Sequence, residues 1–179
     1  MDAFKQYKPF YIFLFKFFAV YAGLALVYQL YLNSFEAARF EVDGFTQSVA
    51  RQTKWFTDLV GYETGIRQHP TQESVMFLLD GHYVSRVVEG CNALSVIILF
   101  AAFVVAFKGS FKNTVAFIAA GAVVIHLLNV VRIGLLSIAL LHYPEYEHVL
   151  HGVIFPAVIY GVVFVLWIVW VNKFSSHAR

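Results

Sequence analysis

Four long apolar stretches constrain this chain more than any other feature of its sequence. They cover residues 9–32, 92–107, 114–141 and 151–171. About 20 residues of α-helix cross the roughly 30 Å of hydrocarbon in a bilayer. Apolar stretches of this length satisfy their backbone hydrogen bonds in lipid by forming helices. The sequence therefore predicts an all-α polytopic membrane protein, a single domain over residues 1–179 with about four transmembrane helices.

Composition supports the same class. Hydrophobic residues make up 60% of the chain and charged residues only 13%, whereas soluble domains are about 45–50% apolar and about 25% charged. The net charge of +2, with no basic patch among aromatic residues, argues against a nucleic-acid partner. Membrane lipid is the partner that this composition predicts.

The positions of the basic residues predict an orientation. Lysine and arginine concentrate in cytoplasmic flanks of membrane helices. Here they precede the first stretch, separate the second from the third, and follow the fourth (Lys5, Lys8, Lys108, Lys112, Lys173 and Arg179). The segment 33–90 and a short loop at 142–150 are then expected to face outward.

The outward segment carries two local patterns that together predict a small cap. From Gly44 to Val60, apolar residues recur at near-helical spacing among polar ones, which indicates an amphipathic helix lying on the membrane or on the helix bundle. Further on, the dipeptide Asp80-Gly81 separates two strand-like runs, 74–79 and 82–88. Such a dipeptide favours a two-residue turn, so a β-hairpin is expected to lead into Cys91.

Ionisable residues in apolar spans are costly and are candidates for function. In the third stretch His126, Asn129 and Arg132 follow one another at intervals of three, on one flank of a helix. Counting from the cytoplasmic end at 1.5 Å per residue, Arg132 lies roughly 28 Å along the helix, near the outer edge of the hydrocarbon. Cys91 and His151 open the second and fourth stretches at the same edge, so all three are expected at similar depth.

These three side chains have the chemistry that thiol acyl transfer requires. A free thiol with a pKa near 8.5 is mostly unreactive at neutral pH, and a cationic neighbour favours the thiolate. Histidine can take the thiol proton and return it to a leaving amine. Arginine cannot act as a base, but it can stabilise an oxyanion.

Three sequence blocks resemble, in order, the signature motifs of the exosortase/archaeosortase family. They are Glu89-Gly-Cys91-Asn-Ala-Leu-Ser-Val, Asn129-Val-Val-Arg132-Ile and Leu150-His151-Gly-Val-Ile-Phe155-Pro156. The run from Phe155 to Gly161 looks like the F-type branch. The resemblance implies a multi-pass cysteine endopeptidase or transpeptidase without a cofactor, with Cys91, Arg132 and His151 as its triad. Its implied partner is an exported protein anchored by a C-terminal sorting tail. Many members carry Ser-Gly after the cysteine, where this chain has Asn92-Ala93.

Structural alternatives remain open for the main candidates: Cys91 as a small buried packing residue, Arg132 as an interfacial anchor near a helix end, and Asn129 as a helix–helix contact. Asn129, Glu89 and His148 are predicted to support the site, with His148 competing with His151 for the role of base. Arg86 is a candidate for substrate binding, although an ordinary surface role is equally compatible. A metal site at the histidines and glutamates of 142–151 is disfavoured because Arg132 would repel a cation. A non-enzymatic scaffold of an export pathway, with the polar cluster used only for helix packing, is the alternative function.

Overall fold

The computed structural model describes residues 7–35 and 40–175. The longer helices of this part are α1 (Lys8–Leu32), α2 (Gly44–Leu59), α3 (Leu94–Ala106), α4 (Phe111–His142) and α5 (Pro144–Phe174). A three-stranded sheet lies between α2 and α3 in the sequence, with strands β1 (Thr64–Gln68), β2 (Ser74–Leu79) and β3 (His82–Val88). The protein is therefore mostly helical, as predicted, with a small sheet.

Three of the four predicted spans have helices long and apolar enough to cross a membrane. In the described residues these are α1, α4 and α5, whereas α3 has only 13 residues. A membrane crossing by α3 stays a prediction. The predicted stretch starts at residue 92, whereas α3 begins at Leu94. Ala93 has a left-handed backbone conformation (φ 65°), which no α-helix can continue through.

The prediction of a loop at 142–150 is wrong. Only Tyr143 separates α4 from α5, and α5 begins at Pro144 with a short 3-10 turn. Proline suits the first turn of a helix because its missing N–H would have no partner there. Glu145 and Glu147 add negative charge near the helix N-terminus, which the helix dipole favours. His151 consequently lies inside α5, in the π-helical segment Leu150–Ile154, and does not open a span.

The predicted amphipathic helix corresponds to α2, which packs on α4 and on the sheet. Asp43 caps its start by accepting a hydrogen bond from the Thr46 N–H at 2.9 Å. The fully buried positions of α2 are mostly threonine, valine and alanine, whereas Leu59 of the apolar pattern is 70% exposed. Gly134 of α4 permits the close packing, because a Cβ there would lie 2.5 Å from the Phe56 ring.

The predicted hairpin is confirmed by β2 and β3, which pair antiparallel around Asp80 and Gly81. Both turn residues have positive φ, 50° and 79°, as the turn type requires. β1 was not predicted, because its sequence Thr-Gly-Ile-Arg-Gln has a single large apolar residue and no alternating pattern. β1 pairs with β2, so the strand order is β1-β2-β3.

Two apolar clusters hold these elements together. The first joins the sheet, α2 and α4 around residues such as Phe77 and Val49, and Cys91 packs against it. The second lies inside the helix bundle and joins α3, α4 and α5 around Phe100 and Trp170. Ala93 belongs to the second cluster. The segment from Cys91 to Ala93 therefore lies where the two clusters meet.

Candidate active site

Cys91 lies at the end of a 3-10 turn, Glu89–Cys91, that directly follows β3. The next residue, Asn92, is buried and fixes this turn between two helices. Its side-chain N–H groups donate to the Tyr28 hydroxyl and the Thr46 hydroxyl, both at 3.0 Å. The side-chain oxygen Oδ1 of Asn92 accepts from the Leu94 N–H at 2.8 Å, at the start of α3. Cys91 itself is a free, half-buried cysteine.

Glu89 is the first residue of the same turn and contacts the same tyrosine as Asn92. Its carboxylate accepts a hydrogen bond from the Tyr28 hydroxyl at 2.6 Å. Glu89 lines a separate cavity, together with Glu41, Asp43 and Glu73. The structure thus ties Glu89 to the backbone segment that carries Cys91, and it does not place Glu89 in the same cavity as the thiol.

Asn129 connects Cys91 to Arg132. Asn129 is fully buried on α4 and donates from Nδ2 to the Cys91 carbonyl oxygen at 2.7 Å. Its Oδ1 accepts from Arg132 Nη1 at 3.3 Å. His126, one turn earlier, instead pairs with Gln52 at 2.8 Å. One buried amide therefore contacts both the segment of the nucleophile candidate and the guanidinium.

Arg132 has no anionic partner in the described part of the chain. No carboxylate of residues 7–35 and 40–175 lies within 4 Å of its guanidinium, and its Nε is buried without a hydrogen-bond partner. The residue as a whole is half-buried, and partial removal of a cation from water without a counter-ion favours the approach of negative charge. The guanidinium is available to an anion or an oxyanion that enters from the cavity.

A cavity of about 500 Å³ brings the separate candidates together. We name it the Cys91 cavity. It is bounded by β3, by the turn that carries Cys91, by α4 and by α5, and its lining residues are Tyr83, Val84, Ser85, Arg86, Val88, Cys91, Arg132, Ile133, Leu136, Ser137, Leu140, Glu147 and His151. Cys91, Arg132, His151 and Arg86 therefore line one space, although they lie on four different parts of the chain.

The two histidine candidates differ in their relation to this cavity. Both are exposed on α5, but His151 lines the Cys91 cavity and His148 does not. Glu147, one turn before His151, lines the cavity as well and was not predicted. Its spacing of four residues from His151 was the available signal, because side chains four apart share a helix face.

Other contributors could not be found from sequence patterns. Tyr28 and Thr46 look like ordinary residues of an apolar span and a polar helix. The Ser85 hydroxyl of β3 lies 2.8 Å from the Ser137 hydroxyl of α4, which fixes the strand against the helix beside the cavity. Arg86 donates to the Gln72 side chain. These are contacts between residues distant in sequence.

The arrangement offers a thiol, an imidazole and an unpaired guanidinium around one water-accessible space. This set suits acyl transfer, in which a thiolate attacks a carbonyl and a cation stabilises the oxyanion. Within residues 7–35 and 40–175, no three His, Cys, Asp or Glu side chains come together in a metal-binding arrangement.

The chain matches a known protein family. A sequence model described as transmembrane exosortase matches residues 8–171. That range includes every element described above except the last residues of α5. No curated protein and no solved structure matches the chain significantly.

Proposed function

Because this chain belongs to the transmembrane exosortase family, we propose that it is a membrane-embedded cysteine endopeptidase or transpeptidase. Its substrate would be an exported protein with a C-terminal sorting tail, as the sequence resemblance implies. One observation carries the proposal: Cys91, Arg132 and His151, from three separate elements, line a single cavity. The proposal includes membership of the F-type branch, which the resemblance of the run from Phe155 to Gly161 supports.

In the proposed reaction, His151 takes the proton from the Cys91 thiol. The thiolate Sγ attacks the carbonyl carbon of the scissile peptide bond, and the Arg132 guanidinium stabilises the resulting oxyanion. The C–N bond breaks as His151 returns the proton to the leaving amine, which leaves a thioester at Cys91. An acceptor amine or water then attacks the thioester and gives a proton to His151, and Sγ departs as the thiolate, which His151 reprotonates.

The proposed location is the bacterial cytoplasmic (inner) membrane, with the Cys91 cavity on the outer side. It rests on the lysine and arginine bias of the flanks. Reporter fusions after Phe45 and at Tyr143 should report the outside, and a fusion after Gly109 should report the cytoplasm. A cytoplasmic signal after Phe45 would contradict the outward site.

The direct test is processing of a substrate. Candidate C-terminally anchored exported proteins are co-expressed with the wild type or with Cys91→Ala, and mass spectrometry of the membranes identifies the shortened product. Processing should require Cys91, and Cys91→Ser should be nearly inactive because a hydroxyl ionises far less readily than a thiol. Processing at the wild-type rate by Cys91→Ala would refute the peptidase proposal and favour the scaffold.

Two further variants test the other roles. Arg132→Lys keeps a positive charge but loses the planar fork, and loss of one oxyanion donor typically slows a reaction about 10²- to 10³-fold. His151→Ala and His148→Ala are a matched pair on exposed positions of α5. We expect His151→Ala to abolish processing and His148→Ala to retain most of it. The opposite result would move the base to His148.

A further inference from the structure

β3 has one edge that pairs with no other strand. The strand order is β1-β2-β3, so β3 forms a border of the sheet and only its β2 side is occupied by ladder hydrogen bonds. The exposed edge of a strand carries backbone N–H and C=O groups that can accept another strand. We call this border the free edge of β3.

The register identifies which residues point their backbone groups to the free edge. The Ser74 carbonyl accepts from the His69 N–H at 2.9 Å, and the Asp80 N–H donates to the Glu63 carbonyl at 2.8 Å, so even-numbered residues of β2 face β1. Odd-numbered residues of β2 therefore face β3, because backbone groups alternate along an antiparallel strand. Their partners in β3 include Val87, which pairs with Val75.

The backbone N–H and C=O groups of other β3 residues point to the free edge. The backbone groups of Arg86 and Val88 point to this edge and alternate with those of Ser85 and Val87, which point to β2. Beyond a bulge at Val84, the backbone groups of Tyr83 also point to the free edge. No backbone hydrogen bond joins Arg86 or Val88 to another segment among the described residues. Two adjacent outward positions give a short, regular set of donors and acceptors.

This free edge runs along the Cys91 cavity. Tyr83, Arg86 and Val88 all line the cavity, and the strand ends three residues before Cys91. α4 contributes the apolar side chains of Leu136 and Leu140 to this cavity, in addition to Arg132 and Ser137. A strand that pairs with this edge would extend directly to the Cys91 thiol.

We propose that the enzyme binds its substrate as an added β-strand on the free edge of β3, in an extended segment that contains the scissile bond. The proposal rests on the proposed function, since continuity with the Cys91 cavity selects the substrate as the occupant. Main-chain hydrogen bonds would supply affinity with little dependence on sequence, as in other cases of strand addition. Opposed residues of paired strands share a face of the sheet. Substrate residues opposite Ser85 and Val87 would therefore point towards Leu136 and Leu140, so every second one should be apolar.

The test changes the substrate and leaves the enzyme as it is, so misfolding of the enzyme cannot affect it. The probe is the anchored protein whose processing is lost in Cys91→Ala. Proline is introduced singly at each of about eight residues on either side of the cleaved bond, a span that covers a usual strand. Proline lacks the N–H donor, so positions that donate to β3 should lose about two- to twelvefold in processing rate, and the positions between them should tolerate it.

A parallel scan with aspartate identifies the positions that need an apolar side chain. In an antiparallel pairing, the residues that donate to β3 lie opposite Arg86 and Val88, so proline-sensitive and aspartate-sensitive positions should alternate. In a parallel pairing the two sets should coincide. Either period-two pattern supports strand addition. Uniform sensitivity, or sensitivity confined to the two residues at the cleaved bond, would overturn it while leaving Cys91-dependent processing intact.

The edge itself is tested by photo-crosslinking with p-benzoylphenylalanine in full-length Cys91→Ala, co-expressed with the same substrate. The probe replaces Tyr83 on the free edge of β3 or, as the matched control, Arg67 on the exposed opposite border of the sheet. The Tyr83 probe should crosslink the substrate segment next to the cleaved bond, and the Arg67 probe should not. Crosslinking of Tyr83 only to lipid or to a second copy of this chain would overturn the proposal. Processing that does not require Cys91 would overturn the proposed function and this inference together.

Discussion

Truncation of Asn129 should reduce catalysis without removing any of the three proposed catalytic side chains. Asn129 is fully buried, donates to the Cys91 carbonyl at 2.7 Å and accepts from Arg132 at 3.3 Å. Asn129→Ala leaves the carbonyl acceptor without its partner, which costs about 1–3 kcal/mol when the group stays buried. If that free energy is lost from the alignment of Cys91 and Arg132, the processing rate should fall about fivefold to 150-fold.

A second variant at the same position distinguishes the hydrogen bond from the volume of the side chain. Asn129→Asp has nearly the same size, but a carboxylate oxygen replaces the N–H donor and repels the Cys91 carbonyl oxygen. Its new ion pair would also neutralise Arg132. Asn129→Asp should therefore be impaired as well, although it leaves no cavity.

The assay is the rate of substrate shortening in a pulse-chase, divided by the amount of enzyme in the membrane. Thr57→Val is the control, because Thr57 is equally buried and its hydroxyl bonds the Thr53 carbonyl at 3.0 Å and the Thr64 hydroxyl at 2.7 Å, away from the Cys91 cavity. It should lose about 1 kcal/mol of stability and keep the wild-type rate. A rate for Asn129→Ala within twofold of wild type, at normal membrane levels, would refute the positioning role.

Three further predictions concern packing, pH and backbone conformation. Gly134→Ala should lower detergent-melting stability by about 1–3 kcal/mol, because its Cβ would overlap the Phe56 ring, whereas Gly161→Ala, with open space around it, should be neutral. The pKa of Asp58 is held below its usual value mainly by a hydrogen bond from the lysine one turn earlier. The stability that this pair contributes is present near neutral pH and is lost as pH falls below about 4. Thermal melts should therefore show that Asp58→Asn loses less stability on acidification than the wild type. Ala93→Gly should fold and process normally, since relief of its positive φ offsets the loss of a buried methyl group.

The sequence by itself determined the features that depend on neighbouring residues. Apolar length predicted the helices α1, α4 and α5, because lipid accepts a helix wherever about 20 apolar residues follow one another. The turn at Asp80-Gly81 was predictable because it needs two residues that tolerate positive φ. Arg132 of the Cys91 cavity was also a candidate from the sequence, because ionisable side chains in apolar spans are costly.

Local patterns could not predict β1 or the start of α5. The five residues of β1 form a strand because β2 offers them an edge, and the pairing supplies hydrogen bonds that their own sequence does not favour. The residues from Pro144 read as a polar loop, yet they continue as helix beneath the cavity. Contacts with another strand decided the conformation of β1, whereas α5 starts where proline and two glutamates suit the first turn of a helix.

Only the tertiary structure decided which polar residues meet. Apolar side chains surround α4, and both lipid and a protein core accept them, so the sequence does not say which flank of the helix faces Cys91. The hydrogen bonds from Asn129 to Cys91 and from Tyr28 to Glu89 join residues 38 and 61 positions apart. Burial leaves such polar groups few partners other than one another, and this requirement fixes the rotation of α4 and the turn at Cys91 together.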